Sequence, residues 1–132
     1  MHRGELEPFE ATVLDFVLAG DHPVLAALRG QRSLVTVTGR ELTGVGFFTT
    51  LRVPLAVPCA LLGRLVIGDI DAKMRGLQYG AGFVLFVENG VLKTLEGFSY
   101  EEPWPDVIAE LALAYRDPAR QELLAELSRV SI

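Results

Sequence analysis

The strongest constraint on the fold lies between Tyr79 and Phe98, where two apolar runs rich in β-branched and aromatic residues flank the dipeptide Asn89-Gly90. Asn-Gly in this setting is typical of a β-hairpin, because a type I′ turn requires positive φ at both central residues. With a two-residue turn, Phe83 lies opposite Glu96 in the predicted pairing. Apolar side chains fall on both faces of this hairpin, so we expect it in the middle of a sheet that is covered on both sides at least in part.

Helices are predicted at both ends of the chain. Apolar residues recur at helical spacing from about residue 8 to residue 19, and a second, shorter helix is predicted between Asp21 as its N-cap and Gly30 as its end. Asp106 is predicted to cap a third helix, and the Asp117-Pro118 step is expected to break it and begin a fourth. The chain therefore begins and ends with a pair of helices.

Between the helices, apolar and polar residues alternate. Strands are predicted over 33–40, over 45–53 and from Arg64 onward, followed by the two strands of the hairpin, while the apolar segment 54–63 is expected to form a loop packed on the core. The order ααβββββαα predicts an α+β fold, with a five-stranded antiparallel meander sheet and the two helix pairs packed mainly on one face. For a chain of 132 residues we expect a single domain that covers 1–132.

The charge pattern disfavours two classes of partner. The chain has 12 Lys and Arg against 17 Asp and Glu, and the basic residues are scattered singly. Binding to nucleic acid or to a membrane surface requires a dense basic patch, so we expect neither. The longest apolar runs are too short to cross a bilayer, and a single cysteine, Cys59, excludes an internal disulfide. These features favour the cytoplasm.

Asp69 and Asp71 form the most suggestive pair of carboxylates. As residues i and i+2 of a predicted strand they point the same way, with Cα atoms roughly 6.5 Å apart. Such a pair could hold a divalent cation or act as the acid and base of a glycosidase. A hard-cation site needs more than two oxygen ligands, however, and Lys73 and Arg75 on the same face would neutralise both carboxylates. We therefore expect a solvated rim and predict no metal and no cofactor.

Glu96 is the second candidate, because the predicted register places it on the more apolar face of the hairpin. A carboxylate in that position has a raised pKa unless it is paired, and such groups cluster at functional sites. Arg52 or Arg64, from neighbouring strands, would serve as a structural ion-pair partner. We favour this structural pair over a role for Glu96 in a ligand pocket.

An aromatic and acidic cluster connects the hairpin to the predicted third helix, in the segment SYEEPWP. Tyr100, Glu101, Glu102 and Trp104 could line the mouth of a pocket or bind a basic partner, since Trp and Tyr are enriched in interface hot spots. The alternative, which we rate higher, is that Trp104 covers the edge of the sheet where the helix begins.

Nucleophilic catalysis has little support in the sequence. His2 and His22 are the only histidines, and neither has a patterned Ser or Cys partner. Cys59 lies in an apolar segment, where a thiol is usually inert. The residues available as zinc ligands are too few for a zinc site.

The segments LTGVGFFTTLRVP (42–54), LQYGAGFVLFVENGVLKTLEGF (77–98) and SYEEPWP (99–105) resemble a family of small uncharacterised bacterial proteins. The resemblance covers about the middle half of the chain. It implies a single cytoplasmic bacterial domain, and it supplies neither an activity nor catalytic residues.

Three functional hypotheses follow from these features. The first is a non-catalytic interaction domain, an accessory or immunity-type protein that neutralises a protein partner; self-association into a homodimer is left open. The second is a binding domain for a small apolar molecule, with a pocket near Phe47, Phe83 and Glu96. The third, in last place, is a hydrolase that uses Asp69, Asp71 or Glu96. A lone buried carboxylate that faces a cavity would favour the second or third, and a flat acidic surface over a full core would favour the first.

Overall fold

Among the residues that the structure describes, two helices precede the strands and one follows them. A computed structural model describes residues 4–54 and 63–130, with side chains described as far as Ser128. Within these ranges the elements are α1 (Pro8–Val17), α2 (Pro23–Arg32), β1 (Thr36–Leu42), β2 (Gly46–Arg52), β3 (Arg64–Lys73), β4 (Ala81–Glu88), β5 (Val91–Ser99), β6 (Ala112–Tyr115) and α3 (Ala119–Val130). His2, Cys59 and most of the loop predicted over 54–63 lie outside the described residues.

The strands of the described ranges form a 6-stranded antiparallel sheet in the order β1-β2-β5-β4-β3-β6. The α+β class and the antiparallel sheet are therefore confirmed, but the five-stranded meander is wrong. β2 and β3 are consecutive in the sequence, yet β5 and β4 lie between them in the sheet. A meander would leave β5 at an edge, where its apolar residues lack a second neighbouring strand. Pairing β2 with β5 instead places the hairpin in the middle of the sheet, as predicted, but the expected cover on both faces is wrong, because the described helices lie on one face.

The Asn89-Gly90 turn is confirmed, since the two residues have φ of 51° and 75°. Gln31, near the end of α2, is buried beneath this turn and fixes it by two hydrogen bonds. Its side-chain Nε2 donates to the carbonyl oxygen of Gly90 at 2.6 Å, and its Oε1 accepts from the backbone N–H of Leu92 at 3.0 Å. A fully buried amide thus satisfies one backbone group in the turn and one just after it.

The pairing of the hairpin departs from the predicted register beyond the turn. A bulge at Lys93 adds one residue to β5, so that Glu96 faces Val84 rather than Phe83. Because side chains alternate along a strand, this slip of one residue moves Glu96 and Phe98 to the face opposite to the one predicted.

The ends of the N-terminal helices differ from the prediction by one or two residues. His22 rather than Asp21 is the N-cap of α2, because its Nδ1 accepts the backbone N–H of Val24 at 3.1 Å. Gly30 lies inside α2 and does not end it. The helix continues through Gln31, whose bonds to the hairpin stabilise the last turn.

The predicted pair of C-terminal helices is also wrong. The described structure has a short strand, β6, in place of the third helix, and a single helix, α3, after it. Glu110 has a φ of 56°, which is incompatible with a helix through this segment. Tyr115 stacks on Phe16 of α1 at 4.2 Å between ring centroids, and its hydroxyl donates to the Phe16 carbonyl oxygen at 2.6 Å. These tertiary contacts override the helical propensity of the Ala and Leu residues.

The described contacts of the three helices fall on one side of the sheet, which we call the covered face. Phe9 of α1 packs on Phe47, α2 reaches the hairpin through Gln31, and Arg120 of α3 pairs with Asp69. The opposite side, the open face, carries Glu41, Phe48, Val66, Asp71, Val84, Phe86, Glu96 and Phe98. Among the described helices, none is long and apolar enough to cross a membrane.

Candidate functional site

Glu96 lies near the centre of the open face, in a row of side chains that crosses the sheet. It is directly opposite Phe48 on β2 and directly opposite Val84 on β4, and Phe48 is in turn opposite Glu41 on β1. Directly opposite residues of an antiparallel pair share a face, with Cβ atoms about 5 Å apart. Two carboxylates therefore flank one aromatic ring. Phe48, Val84 and Glu96 are half-buried, whereas Glu41 is exposed.

Glu96 makes neither a hydrogen bond nor an ion pair with any described residue. Burial raises the pKa of its carboxyl group, with no compensating charge nearby. The predicted ion pair with Arg52 or Arg64 is therefore absent from the part of the chain that the structure describes. Arg64 instead lies over the ring of Phe86 at 5.6 Å, and Arg52 is exposed at the end of β2. The physical reason is distance along the strands: Glu96 lies opposite Phe48 and Val84, whereas Arg52 is four residues beyond Phe48 on β2 and Arg64 is opposite Glu88, four residues beyond Val84 on β4. Four residues of a strand span roughly 13 Å.

Asp69 and Asp71 do not point the same way, contrary to the prediction, and their described ion pairs are not with the expected Lys73 and Arg75. A bulge in β3 between Ile67 and Ile70 interrupts the alternation of side chains. Asp69 is buried on the covered face, where its Oδ2 lies 2.7 Å from Arg120 Nε. Asp71 is half-exposed on the open face, where its Oδ1 lies 2.7 Å from Arg116 Nη2. Each carboxylate is neutralised by its own arginine.

Neither metal ligation nor acid–base chemistry is favoured by this arrangement of Asp69 and Asp71. Within residues 4–54 and 63–130, no group of three His, Cys, Asp or Glu residues could hold a metal ion. Each carboxylate is also occupied by an arginine, so neither is free to exchange a proton with a substrate.

The cluster predicted at Tyr100–Trp104 is divided between several roles. Glu102 accepts the backbone N–H groups of Gln78 and Tyr79, both at 2.9 Å, and so fixes the neighbouring loop. Tyr100 contacts the ring of Phe98 at 5.7 Å between centroids, at the end of the open face. Glu101 is exposed, with a φ of 69°.

Trp104 lies on the covered side of the sheet, and no helix begins there, contrary to the prediction. Its ring contacts those of Phe47 at 5.4 Å and Phe83 at 6.2 Å between centroids. These contacts make Trp104 part of the wall of a groove of about 570 Å³, which we call the Trp104 groove. Leu42 and Val107 at its rim are exposed to 77% and 74%.

The predicted pocket near Phe47, Phe83 and Glu96 is thus only partly correct. Phe47 lines the Trp104 groove, and Phe83 lies behind it, fully buried against the rings of Phe47 and Trp104. Glu96 is on the other face of the sheet. A second groove, of about 760 Å³, is lined by Asp71 and Tyr100, at the edge of the open face.

A buried network that the sequence analysis missed forms the floor of the Trp104 groove. The fully buried carboxylate of Glu10 accepts hydrogen bonds from Arg40 at 2.5 and 3.2 Å, from the Thr49 hydroxyl at 2.5 Å and from the backbone N–H of Glu7 at 2.8 Å. The hydrogen bond to Glu10 raises the pKa of Arg40 above its ordinary value. One signal was present in the sequence. Glu10 lies three residues before Val13 and seven before Val17, which places it on the apolar stripe of α1.

His22 and Ser128 lie side by side, with 3.3 Å between His22 Nε2 and Ser128 Oγ, although the sequence showed no such pairing. His22 Nδ1 accepts the backbone N–H of Val24, so a neutral imidazole carries its proton on Nε2. Nε2–H then donates to the hydroxyl of Ser128, which itself donates to the carbonyl oxygen of Leu124. A nucleophilic serine needs the opposite tautomer, with a bare nitrogen facing its hydroxyl. The pair therefore acts as a structural link between α2 and α3.

The fold and the site together define an α+β domain whose antiparallel sheet is covered by helices on one face. No family model matches the chain, and no curated protein or solved structure matches it at a significant level. The geometry of the two surfaces, the open face and the Trp104 groove, therefore carries the functional argument.

The Arg40→Gln variant tests the buried network. It leaves the Glu10 carboxylate buried without its cation, so we expect the free energy of unfolding to fall by about 3 kcal/mol or more, measured by urea denaturation. The matched control is Arg75→Gln, whose ion pair with Glu110 is exposed and whose loss should cost less than about 1 kcal/mol. Equal stability of the two variants would contradict the proposed role of the network.

The Glu96→Gln variant tests whether Glu96 is unpaired. Burial raises the pKa of Glu96 in the folded protein, so ionisation of this group disfavours folding above that pKa. We therefore expect Glu96→Gln to melt at a higher temperature than the parent at pH 7, with a difference that disappears as the pH falls below the ordinary glutamate pKa of 4.5. Glu88→Gln, an exposed change at the hairpin, should have little effect. A lower melting temperature for Glu96→Gln at pH 7 would indicate a structural ion pair.

Proposed function

We propose that this chain is a non-catalytic protein-interaction domain, of the accessory or immunity type, which binds its partner on the open face of the sheet. The observation that carries the proposal is the row through Glu96, in which a half-buried carboxylate without a partner among the described residues lies between Phe48 and Val84. An ionised carboxylate in this setting lowers the free energy of unfolding of the isolated domain, and a bound partner would remove this cost.

The composition of the open face supports this proposal. Phe48, Val84, Phe86 and Phe98 provide an apolar centre, and Val66 at its margin is exposed to 46%. Aromatic side chains with a polar rim are typical of the centre of a protein interface. Tyr79 and Tyr100, exposed to 66% and 44%, extend the aromatic surface into the second groove.

The state of the candidate catalytic groups also favours binding over catalysis. Asp69 and Asp71 are neutralised by different arginines, and His22 faces Ser128 with the tautomer that cannot act as a base. A hydrolase that uses these residues or Glu96 is the hypothesis with the least support.

We further propose a cytoplasmic site of action, in line with the acidic composition. The net charge of the chain is −5, which favours a basic partner.

Affinity capture with matched variants tests the open face. The bait proteins are the parent chain, Val84→Asp and Val66→Asp on the open face, and Val107→Asp at the rim of the Trp104 groove, each checked for an unchanged melting transition. We expect the parent and Val107→Asp to retain the same partner from a lysate of the source organism, and Val84→Asp to recover about tenfold less or lower still, measured by quantitative mass spectrometry. Recovery that is unchanged by both open-face variants, or reduced equally by Val107→Asp, would contradict the proposal.

Binding of a small apolar ligand in the Trp104 groove is the second candidate function. It is favoured by the groove volume of about 570 Å³ and by the aromatic wall of Phe9, Phe47 and Trp104. Pockets of this volume with mostly apolar walls and a few polar groups are typical of ligand sites. The Glu10–Arg40 pair at the floor would provide those polar groups.

Fluorescence of the single tryptophan, Trp104, tests this second candidate. The probe is 8-anilinonaphthalene-1-sulfonate, whose binding in the groove would quench Trp104 by energy transfer. We expect saturable quenching in the parent and in Val66→Asp, and its loss in Val107→Asp. Equal quenching in the two variants would show that the probe does not bind in the groove.

A further inference from the structure

We propose that the row formed by Glu41, Phe48 and Glu96 is a receptor site for an arginine side chain of the protein partner. This inference rests on the proposed interaction function and adds the chemistry that the open face recognises. In the bound state the guanidinium group lies over the ring of Phe48, between the two carboxylates.

The register of three strands sets the geometry of this site. Glu41 on β1 and Glu96 on β5 are both directly opposite Phe48 on β2, so the two carboxylate-bearing residues lie about 10 Å apart across the sheet, with Phe48 midway between them. A guanidinium group over the ring is then within side-chain reach of both carboxylates. Its planar fork of donors suits two carboxylates better than a single ammonium does.

The neighbours of Glu96 leave the carboxylate accessible from the open face. Phe98, two residues further along β5, directs its ring over Gly82 of β4, where a Cβ atom would lie 2.5 Å from Phe98 Cζ. Val84, opposite Glu96 on β4, is short. Glu96 is half-buried between Phe48 and Val84. Burial raises the pKa of its carboxyl group because it disfavours the charged form, and a bound cation would remove this electrostatic cost.

The same face already shows how a guanidinium group binds to it. Arg64 lies over Phe86 at 5.6 Å from the ring centroid, in the geometry of a cation–π contact. Phe86 and Phe48 are both half-buried aromatic residues of the open face, but Phe48 has carboxylate-bearing neighbours on both sides. We therefore expect the site at Phe48 to bind arginine more strongly than a ring alone.

Two other charged groups of the open face are already engaged away from this position. Asp71 is paired with Arg116, and Arg64 is placed over Phe86. Glu88 and Arg52 lie exposed at the ends of their strands. A partner that inserts an arginine at Phe48 and places apolar residues on Val84 and Phe98 would satisfy both the charge and the apolar area of the face.

A pair of synthetic peptides tests the site. The first is Gly-Leu-Arg-Leu-Gly with blocked ends, and the second has citrulline, the neutral isostere, in place of arginine. The peptides are titrated into the ¹⁵N-labelled chain at pH 7 and low salt while backbone amide shifts are recorded. We expect saturable shifts at the amides of Phe48, Val84 and Glu96 with the arginine peptide, and none with the citrulline peptide.

Variants at single carboxylates complete the experiment. Glu96→Gln should weaken binding of the arginine peptide about tenfold, which corresponds to about 1.4 kcal/mol, and Glu41→Gln should weaken it less because Glu41 is exposed. Asp106→Asn, an exposed carboxylate beside the Trp104 groove, should leave binding unchanged. Equal binding of the citrulline peptide, an unaltered affinity in Glu96→Gln, or no saturable shifts at these amides at millimolar peptide would each overturn the proposal.

The interaction function and the arginine site can be refuted independently of each other. If Val84→Asp loses the captured partner while Glu96→Gln binds the arginine peptide like the parent, the interaction function stands and the arginine site falls. If the peptide distinguishes arginine from citrulline while capture is indifferent to Val84→Asp, the arginine site stands and the interaction function falls.

Discussion

The arrangement of the helices over the sheet depends on the hydrogen bonds that the buried carboxylate of Glu10 accepts. This carboxylate joins three elements, because it lies on α1 and accepts hydrogen bonds from Arg40 of β1 and Thr49 of β2. A buried ion pair adds little net stability over apolar packing, but breaking it leaves an uncompensated charge in the core. We interpret this ion pair as the interaction that fixes the position of α1 on the sheet, with Phe9 packed on Phe47. The Trp104 groove is built directly over this network.

The helices that Glu10 and Gln31 hold on one side of the sheet leave the other side as a separate surface. The open face and the Trp104 groove therefore lie on opposite faces, and each has its own chemistry. The groove has an aromatic wall and a neutralised ion pair, which suits an uncharged apolar molecule. The open face has an apolar centre and a carboxylate without a described partner, which suits a basic side chain on a larger apolar surface. Binding on one face leaves the other accessible.

Two bulges decide which charged residues lie together. The bulge at Lys93 moves Glu96 to the open face, and the bulge between Ile67 and Ile70 separates Asp69 from Asp71. An alternating pattern predicts the face of each residue only while the pairing is regular, since one extra residue reverses every assignment after it. Both predicted carboxylate sites, the Asp69–Asp71 pair and Glu96, were affected in this way. The arginines that pair with Asp69 and Asp71 were therefore not predictable from the alternating pattern.

Local chemistry was enough to determine the turn at Asn89-Gly90 and the start of α1 at Pro8, because each depends on residues adjacent in the sequence. The tertiary structure alone decided the strand order, the pairing of Glu10 with Arg40, and the strand at Ala112–Tyr115 in place of a helix. These features arise between residues that are far apart along the chain. Their free energy comes from burial and from satisfying buried polar groups, and a local pattern carries no information on which distant group will do so.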